Sequence, residues 1–238
     1  MILAAGRGER MRPLTDATPK PLLEAGGKAL IVWQIEALAR AGCTDIVINA
    51  AHLADQLVAA LGDGAAFGVR IAWSIEPEPL EAAGGIATAL PLLPRGPVLI
   101  VSGDVWSGFD YATLLSRAER MMNDPASPRA HLVMVPCTSR LPQGDFVLRD
   151  GMLEPVGNER LVYGNIGLHD TALFAELPRF ARLKMLPLWQ EWISCGWVSG
   201  EMYTGPWANI GTPADLAALD AMLQADAPMN PVLNPQTR

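Results

Sequence analysis

Two glycines one residue apart, three arginines and a lysine held between prolines lie close together at the start of this sequence. Leu3-Ala4-Ala5-Gly6-Arg7-Gly8-Glu9-Arg10-Met11-Arg12 runs from an apolar stretch into a basic loop, and Thr18-Pro19-Lys20-Pro21 follows. The pattern suits a polyphosphate. Glycines let successive backbone N–H groups curl around an anion without obstruction by Cβ. Arginine forks neutralise phosphate oxygens, and the prolines stiffen the backbone on both sides of Lys20, which makes it a fixed point charge. A Gly-x-Gly after a strand is, by itself, more often only an ordinary turn. The spacing excludes two other nucleotide loops: Met11 stands where a dinucleotide fingerprint needs its third glycine, and no Gly-Lys-Ser/Thr follows as a P-loop requires.

Such a loop needs a rigid frame. The apolar patterning predicts strands over 1–5, 45–49, 69–75 and 98–101, the last apolar throughout, as for a strand buried on both faces. Helices are expected over 29–41, with Ile31, Ile35, Leu38 and Ala39 on one face and Gly42 as the stop, over 53–61, and over 84–93, opening with Gly84-Gly85. Alternating strands and helices with short connections predict an α/β fold, a mostly parallel Rossmann-like three-layer sandwich. The second half is less regular. Strands are expected over 132–135 and 162–168, a hairpin of 146–148 and 152–156 across Asp150-Gly151, and helices near 171–176 and 185–195. A short extended piece over 207–210 and a helix over 213–224, with Pro213 in its first turn, complete a single domain over 1–225. Residues 226–238, rich in Pro and Asn, read as a flexible tail. A strand that begins at Met1 also leads us to expect a few residues upstream of it.

Composition narrows the function classes. A net charge of −7 repels a nucleic-acid backbone, and the basic cluster of Arg7, Arg10, Arg12 and Lys20 has the size of a small anion site. Cys43, Cys137 and Cys195 form neither a disulfide framework nor a zinc pattern and read as thiols of a cytoplasmic protein. The three histidines do not suggest a histidine-rich metal site. No apolar run reaches the roughly 18–20 residues that cross a bilayer, so neither a membrane nor a nucleic acid is an expected partner.

The stretch LAAGRGERMRPLT, followed by TPKPLL, resembles the signature of the sugar-phosphate nucleotidyltransferase family, and the resemblance continues in order over residues 1–225. It implies the nucleotide-diphospho-sugar transferase fold and a Mg²⁺-dependent reaction of a nucleoside triphosphate with a sugar 1-phosphate, releasing pyrophosphate. Residues 1–110 would be the nucleotide-binding half and 111–225 the sugar-phosphate half. Ala5, Gly6, Gly8, Glu9 and Arg10 would cradle the triphosphate, with Arg10, Lys20 and Asp104 as the catalytic set. Glu78-Pro79-Leu80-Glu81-Ala82-Ala83-Gly84-Gly85-Ile86 resembles the base-binding segment, with Glu81 and Gly85 as candidates, although alone it reads as a capping turn. Ser102-Gly103-Asp104 resembles the motif whose Asp holds Mg²⁺. The family's second metal ligand is an Asp in a Trp-x-Asp-x-Gly-Thr frame; here Trp207-Ala208-Asn209-Ile210-Gly211-Thr212 substitutes an amide, whose oxygen also ligates Mg²⁺. Gly144-Asp145-Phe146 and Gly164-Asn165-Ile166 resemble the sugar-contacting segments, with Asp145 and Asn165 as partners for hydroxyls. Lys184 either meets the sugar phosphate or caps a helix, and Trp189, Trp192 and Trp197 read as core. LEAAGGIATALPLL and GDVW most resemble the branch that uses UTP and N-acetylmuramate 1-phosphate in peptidoglycan recycling; the guanylyl branch acting on mannose 1-phosphate and the thymidylyl branch acting on glucose 1-phosphate come next. Asn209 leaves open a non-catalytic binder of nucleotide sugars. A dinucleotide oxidoreductase is disfavoured by the missing third glycine. Oligomeric state leaves no mark in the sequence.

Overall fold

The structure, a computed structural model, describes residues 1–138 and 141–226. Among the described residues the strands are β1 (Ile2–Leu3), β2 (Glu24–Ala25), β3 (Lys28–Ala29), β4 (Asp45–Ala50), β5 (Arg70–Ile75), β6 (Pro97–Ser102), β7 (Val105–Ser107), β8 (Ala130–Val135), β9 (Phe146–Arg149), β10 (Met152–Glu154), β11 (Arg160–Asp170), β12 (Val198–Met202) and β13 (Trp207–Asn209). The α-helices among them are α1 (Leu14–Ala17), α2 (Leu30–Arg40), α3 (Ala54–Leu61), α4 (Glu81–Ala89), α5 (Ala112–Asn123), α6 (Met185–Ser194) and α7 (Pro213–Asp226). Apart from Asp226, which closes α7, the expected tail lies outside the described residues.

Nine strands form one sheet in the order β5-β4-β1-β6-β11-β8-β12-β10-β9. β5, β4, β1 and β6 are parallel neighbours. β11 runs against β6, β8 and β9, and β10 against β12 and β9, so only these two oppose the direction of the other strands. Alternation along β6 shows why helices cover both faces. Leu99 and Val101 join the cluster formed with α2, α3 and α5 through Ile31, Ile35, Leu57 and Leu114. Val98 and Ile100 join the opposite one, formed with α4 and α6 through Ile86, Met185 and Trp192. This is the expected three-layer sandwich. A third cluster seats α7, through Leu219, against Met11, Leu30 and Ile210.

Several boundaries differ from expectation. α4 begins at Glu81, three residues before the glycines, and gives way at Leu90–Leu92 to a tighter turn containing Pro91, which has no N–H to continue the helix. The helix expected near 171–176 is a single tight turn over Thr171–Phe174, capped at its start by a hydrogen bond from Ala172 N to Asp170 Oδ1 (2.9 Å). The Asp150-Gly151 hairpin is present, both residues having positive φ (50° and 77°). α5 and β12 carry too little apolar pattern to stand out: α5 fully buries only Leu114, and β12 alternates Ser199 and Glu201 around Gly200.

Two imidazoles are locked inside the sheet layers. His169 on β11 is 1% exposed and accepts a hydrogen bond from Trp189 Nε1 (3.3 Å). Burial pushes its pKa down to about 4, the Gly167 backbone opposing. His131 on β8, between Ser199 and Glu201, is also lowered by burial. In the unfolded chain both take up protons near the ordinary value of about 6.5. Between there and the folded values the unfolded state binds more protons, so stability falls as pH drops. For His169 the gap corresponds to roughly 3 kcal/mol, lost between about pH 6.5 and pH 4. Urea midpoints recorded across that range should fall steadily, and His169→Leu should flatten the slope; an unchanged slope in that variant would remove the assignment.

Candidate active site

The parallel strands β1, β4 and β6 end together, and at their carboxyl ends lies a cleft of about 760 Å³ bordered by Leu3, Asn49 and Ser102. Ala5, Gly6, Gly8, Glu9, Arg10, Lys20, Glu81 and Asp104, all singled out from sequence, line it. Gly85, Asp145, Asn165, Lys184 and Asn209 do not.

The glycine loop is held where it leaves β1. β1 is only two residues long, and Gly103 N donates to Leu3 O (2.9 Å) while Ala4 N donates to Asn49 Oδ1 (2.8 Å). Gly8 has φ +63°, and a Cβ there would stand 3.0 Å from both Lys20 Cβ and Thr15 Cγ2. Packing as well as backbone freedom therefore demands glycine at position 8. A Cβ at Gly6 would meet nothing within 4 Å, so position 6 is open to the cleft. Lys20 is 8% exposed, and its Nζ donates to Asp104 Oδ2. The stiffened lysine and the acid at the end of β6 thus form one ion pair on the cleft wall.

The β13 strand is drawn to this pair. Ile210 N donates to Asp104 O (3.0 Å), and Asn209 lies opposite Val105 in the β7–β13 ribbon. The Arg10 guanidinium packs over Gly211, 3.3 Å from the place of a Cβ. Trp207, the first residue of β13, donates from Nε1 to Gly164 O (2.9 Å). Among the described residues no three His, Cys, Asp or Glu side chains gather around a point. A divalent ion in the cleft would have the Asp104 carboxylate and substrate phosphates; Asn209, next to the Ile210 N–H that binds Asp104 O, does not line the cleft. That oxygen donor set fits Mg²⁺, which takes one or two protein carboxylates and fills its octahedron with phosphate and water.

Three residues not singled out from sequence build the site's frame. Asn49 Nδ2 donates to Glu76 Oε1 (2.6 Å), and Glu76 Oε2 accepts from Leu80 N (3.1 Å). Burial raises the Glu76 pKa, and the bonds from Asn49 and Leu80 oppose the rise. Gly85 faces this pair: a Cβ would stand 2.6 Å from Asn49 Nδ2 and 2.8 Å from Glu76 Oε1. Its small size serves that contact, one turn beyond the cleft wall. A Cβ on Gly84 would stand 2.1 Å from Ala181 O, because the 181–183 segment crosses the start of α4. The crossing brings Arg182 to the cleft, where it pairs with Glu81 (3.1 Å), a residue at φ +62°. Asn49 and Glu76 could have been found as polar residues at the ends of apolar strands, the position that also marks Asp104.

The sugar-side candidates are placed apart from one another. Asp145 Oδ2 accepts from Tyr163 N (2.8 Å), and its carbonyl accepts from Arg160, so it ties β9 to β11. Asn165 sits at φ +58°, inside the register shift of β11 between Tyr163 and Gly167, and lines a small cavity next to the cleft. Lys184 is exposed at the start of α6 and its side chain makes no capping hydrogen bond. It lines neither cavity.

A sequence model of the nucleotidyl transferase family matches residues 1–130. N-acetylmuramate alpha-1-phosphate uridylyltransferase of Neisseria meningitidis serogroup B is 44% identical over 229 residues, covering 94% of this chain and 98% of that one. The chain belongs to the nucleotidyl transferase family. The protein of the same name from Caulobacter vibrioides is 35% identical over 94% of this chain and 96% of its own. Mannose-1-phosphate guanyltransferase of Pichia angusta is 42% identical, but over 48% of this chain and 32% of that one. Two solved structures share the fold: a Bacillus anthracis protein in complex with sucrose (TM-score 0.81, 20% identity, 96% of each chain) and the inositol-1-phosphate CTP transferase of T. maritima (TM-score 0.74, 16% identity, 94% of this chain and 95% of that one). The first two relatives span nearly the whole chain, and it is a nucleotidyltransferase of the sugar 1-phosphate type.

Replacing Asn49 by Leu strips partners from Ala4 N and Glu76 together. Leaving such buried groups unpaired costs about 3 kcal/mol, and the glycine loop loses its anchor. Asn49→Leu should lower the urea midpoint and weaken nucleotide binding by calorimetry; a variant as stable and as tight as the parent would show that the amide does not hold the loop.

Proposed function

We propose that this protein transfers a uridylyl group from UTP to N-acetylmuramate 1-phosphate, forming UDP-N-acetylmuramate and pyrophosphate, as a cytoplasmic step of peptidoglycan recycling. The observation that carries the reading is the Neisseria meningitidis relative, similar through both halves, whereas the similarity to the guanyltransferase covers about half of the chain. The cleft's charges agree with it. Arg7, Arg10, Lys20 and Arg182 can receive phosphates, while Asp104 offers a carboxylate to a divalent ion.

The sugar-phosphate oxygen attacks the α-phosphorus in line, and pyrophosphate departs. That nucleophile is already an anion, so no strong general base is needed. The barrier lies in bringing polyanions together and in charge on the α-phosphate, which positioning and electrostatics relieve. In this scheme the backbone of Ala5, Gly6, Gly8 and Glu9, with the Arg10 side chain, cradles the triphosphate. Lys20 turns from Asp104 toward the α-phosphate and the incoming phosphate. Glu81, held by Arg182, borders the base, and Asp145 and Asn165 serve the sugar. Asp104 and Asn209 would hold Mg²⁺, which when bound supplies positive charge to the phosphate oxygens.

Pyrophosphate release should be followed with UTP, dTTP, GTP, CTP and ATP against the 1-phosphates of N-acetylmuramate, N-acetylglucosamine, glucose and mannose. Fastest release is expected with UTP and N-acetylmuramate 1-phosphate, and chelation of Mg²⁺ should stop it. Lys20→Ala should lower kcat about 10²–10³-fold with little change in KM for UTP. Asn209→Asp, which restores a carboxylate, should lower the Mg²⁺ concentration giving half-maximal rate. Folded protein that binds nucleotide yet releases no pyrophosphate with any pair would mean a binder, not an enzyme.

A further inference from the structure

Gln34 stands on the inner face of α2, where Leu30, Ile31, Ile35 and Leu38 are buried with it, and is 2% exposed. An amide in such surroundings costs stability unless its groups are bonded. Nε2 donates to Val105 O, and Oε1 accepts from Tyr111 Oη (2.6 Å). A carbonyl can only accept, so Val105 fixes which way the amide faces and leaves its oxygen to the hydroxyl. Tyr111 is buried as well. Burial pushes its pKa up, the Gln34 bond opposing, so the hydroxyl keeps its proton and stays a donor. Neither side chain lines the cleft, yet the carbonyl they hold is the one that follows Asp104. The backbone around Asp104 is thus gripped at three points: Gly103 N donates to Leu3 O, Asp104 O accepts from Ile210 N, and Val105 O accepts from Gln34.

We propose that Gln34 and Tyr111 are positioning residues, a buried strut from α2 that fixes the backbone after Asp104 and so sets the aim of its carboxylate toward a divalent ion. The proposal rests on the metal-holding role of Asp104 given above. Of the three grips, those of Leu3 and Ile210 come from segments beside the cleft, which a substrate can move. The third comes from a helix packed into the core through Ile31 and Ile35, so it is the fixed point. One amide holds both Val105 and Tyr111, and it thereby closes the excursion that leads from the end of β6 to the start of α5. Loss of a partner one step behind a metal ligand commonly changes metal affinity about 10–100-fold.

Mn²⁺, a paramagnetic stand-in for Mg²⁺, should be titrated into the protein with UTP and the bound fraction read by electron paramagnetic resonance. Gln34→Met, close in size but without an amide, should raise the Mn²⁺ Kd about tenfold, while the Kd for UTP with a chelator present stays unmoved. Tyr111→Phe should shift the Mn²⁺ Kd in the same direction by less, and the double variant should be no worse than Gln34→Met alone, as for two parts of one strut. Ile35→Val, which loosens the same helix, is the control and should lower the urea midpoint without changing the Mn²⁺ Kd. An unmoved Mn²⁺ Kd in both strut variants overturns the proposal; if Gln34→Met does not fold, Tyr111→Phe decides it alone. An Ile35→Val protein that loses as much Mn²⁺ affinity as Gln34→Met overturns it too, because general stability would then be the cause. So does a parent protein that binds no Mn²⁺. A Mn²⁺ shift in a protein that releases no pyrophosphate with any substrate pair would leave the strut standing and sink the transfer reading instead.

Discussion

A single buried amide, that of Asn49, holds the site in place. Its oxygen takes the first free N–H of the glycine loop and its nitrogen binds Glu76, which in turn takes the N–H of Leu80 ahead of α4. The ends of β1, β4 and β5 and the start of α4 are thereby fixed to one another by groups shielded from water. Inside a protein such bonds are strong when complete and costly when one is missing. The rest follows from that rigidity. A two-residue β1 could not fix the glycine loop by itself, and α4 could not lie so near β4 unless Gly85 left room for the pair.

The Lys20–Asp104 pair shows how the site rests. Lys20 and Asp104 neutralise each other on the cleft wall. In the reaction proposed above, phosphates would offer Lys20 another partner and leave the carboxylate to a divalent ion. Cation and acid are positioned beforehand by neighbours that do no chemistry: Pro19 and Pro21 for one, the end of β6 and the Ile210 N–H for the other. Pre-set dipoles and charges of this kind stabilise developing charge with little reorganisation.

The parts legible in the sequence are those encoded locally. The glycine loop, the Pro-flanked lysine, the acid after an apolar strand and the alternation of the first half all lie within short windows, and the fold and the cleft wall agree with them. What was illegible depends on contacts between distant segments. Asn49 looked like the end of a strand, and nothing nearby reveals that Glu76 and Ala4 meet it. Gly84 and Gly85 looked like a helix start because their real reason, the close approach of Ala181 and Asn49, lies elsewhere in the chain. α5 and β12 escaped because their burial is slight or interrupted by polar residues, which leaves no clear period. Lys184, at the start of α6, is exposed and lines neither cavity.

The hydrogen bond from Trp207 to Gly164 gives β13 a further significance. One end of this three-residue strand grips the bulge that carries Asn165; the other end, through Ile210, grips the backbone of Asp104. In the proposed scheme the residues assigned to the sugar and to Mg²⁺ are joined by a strand about 10 Å long. A substitution that reshapes the bulge would therefore bear on the backbone that carries Asn209 as well as on Asn165.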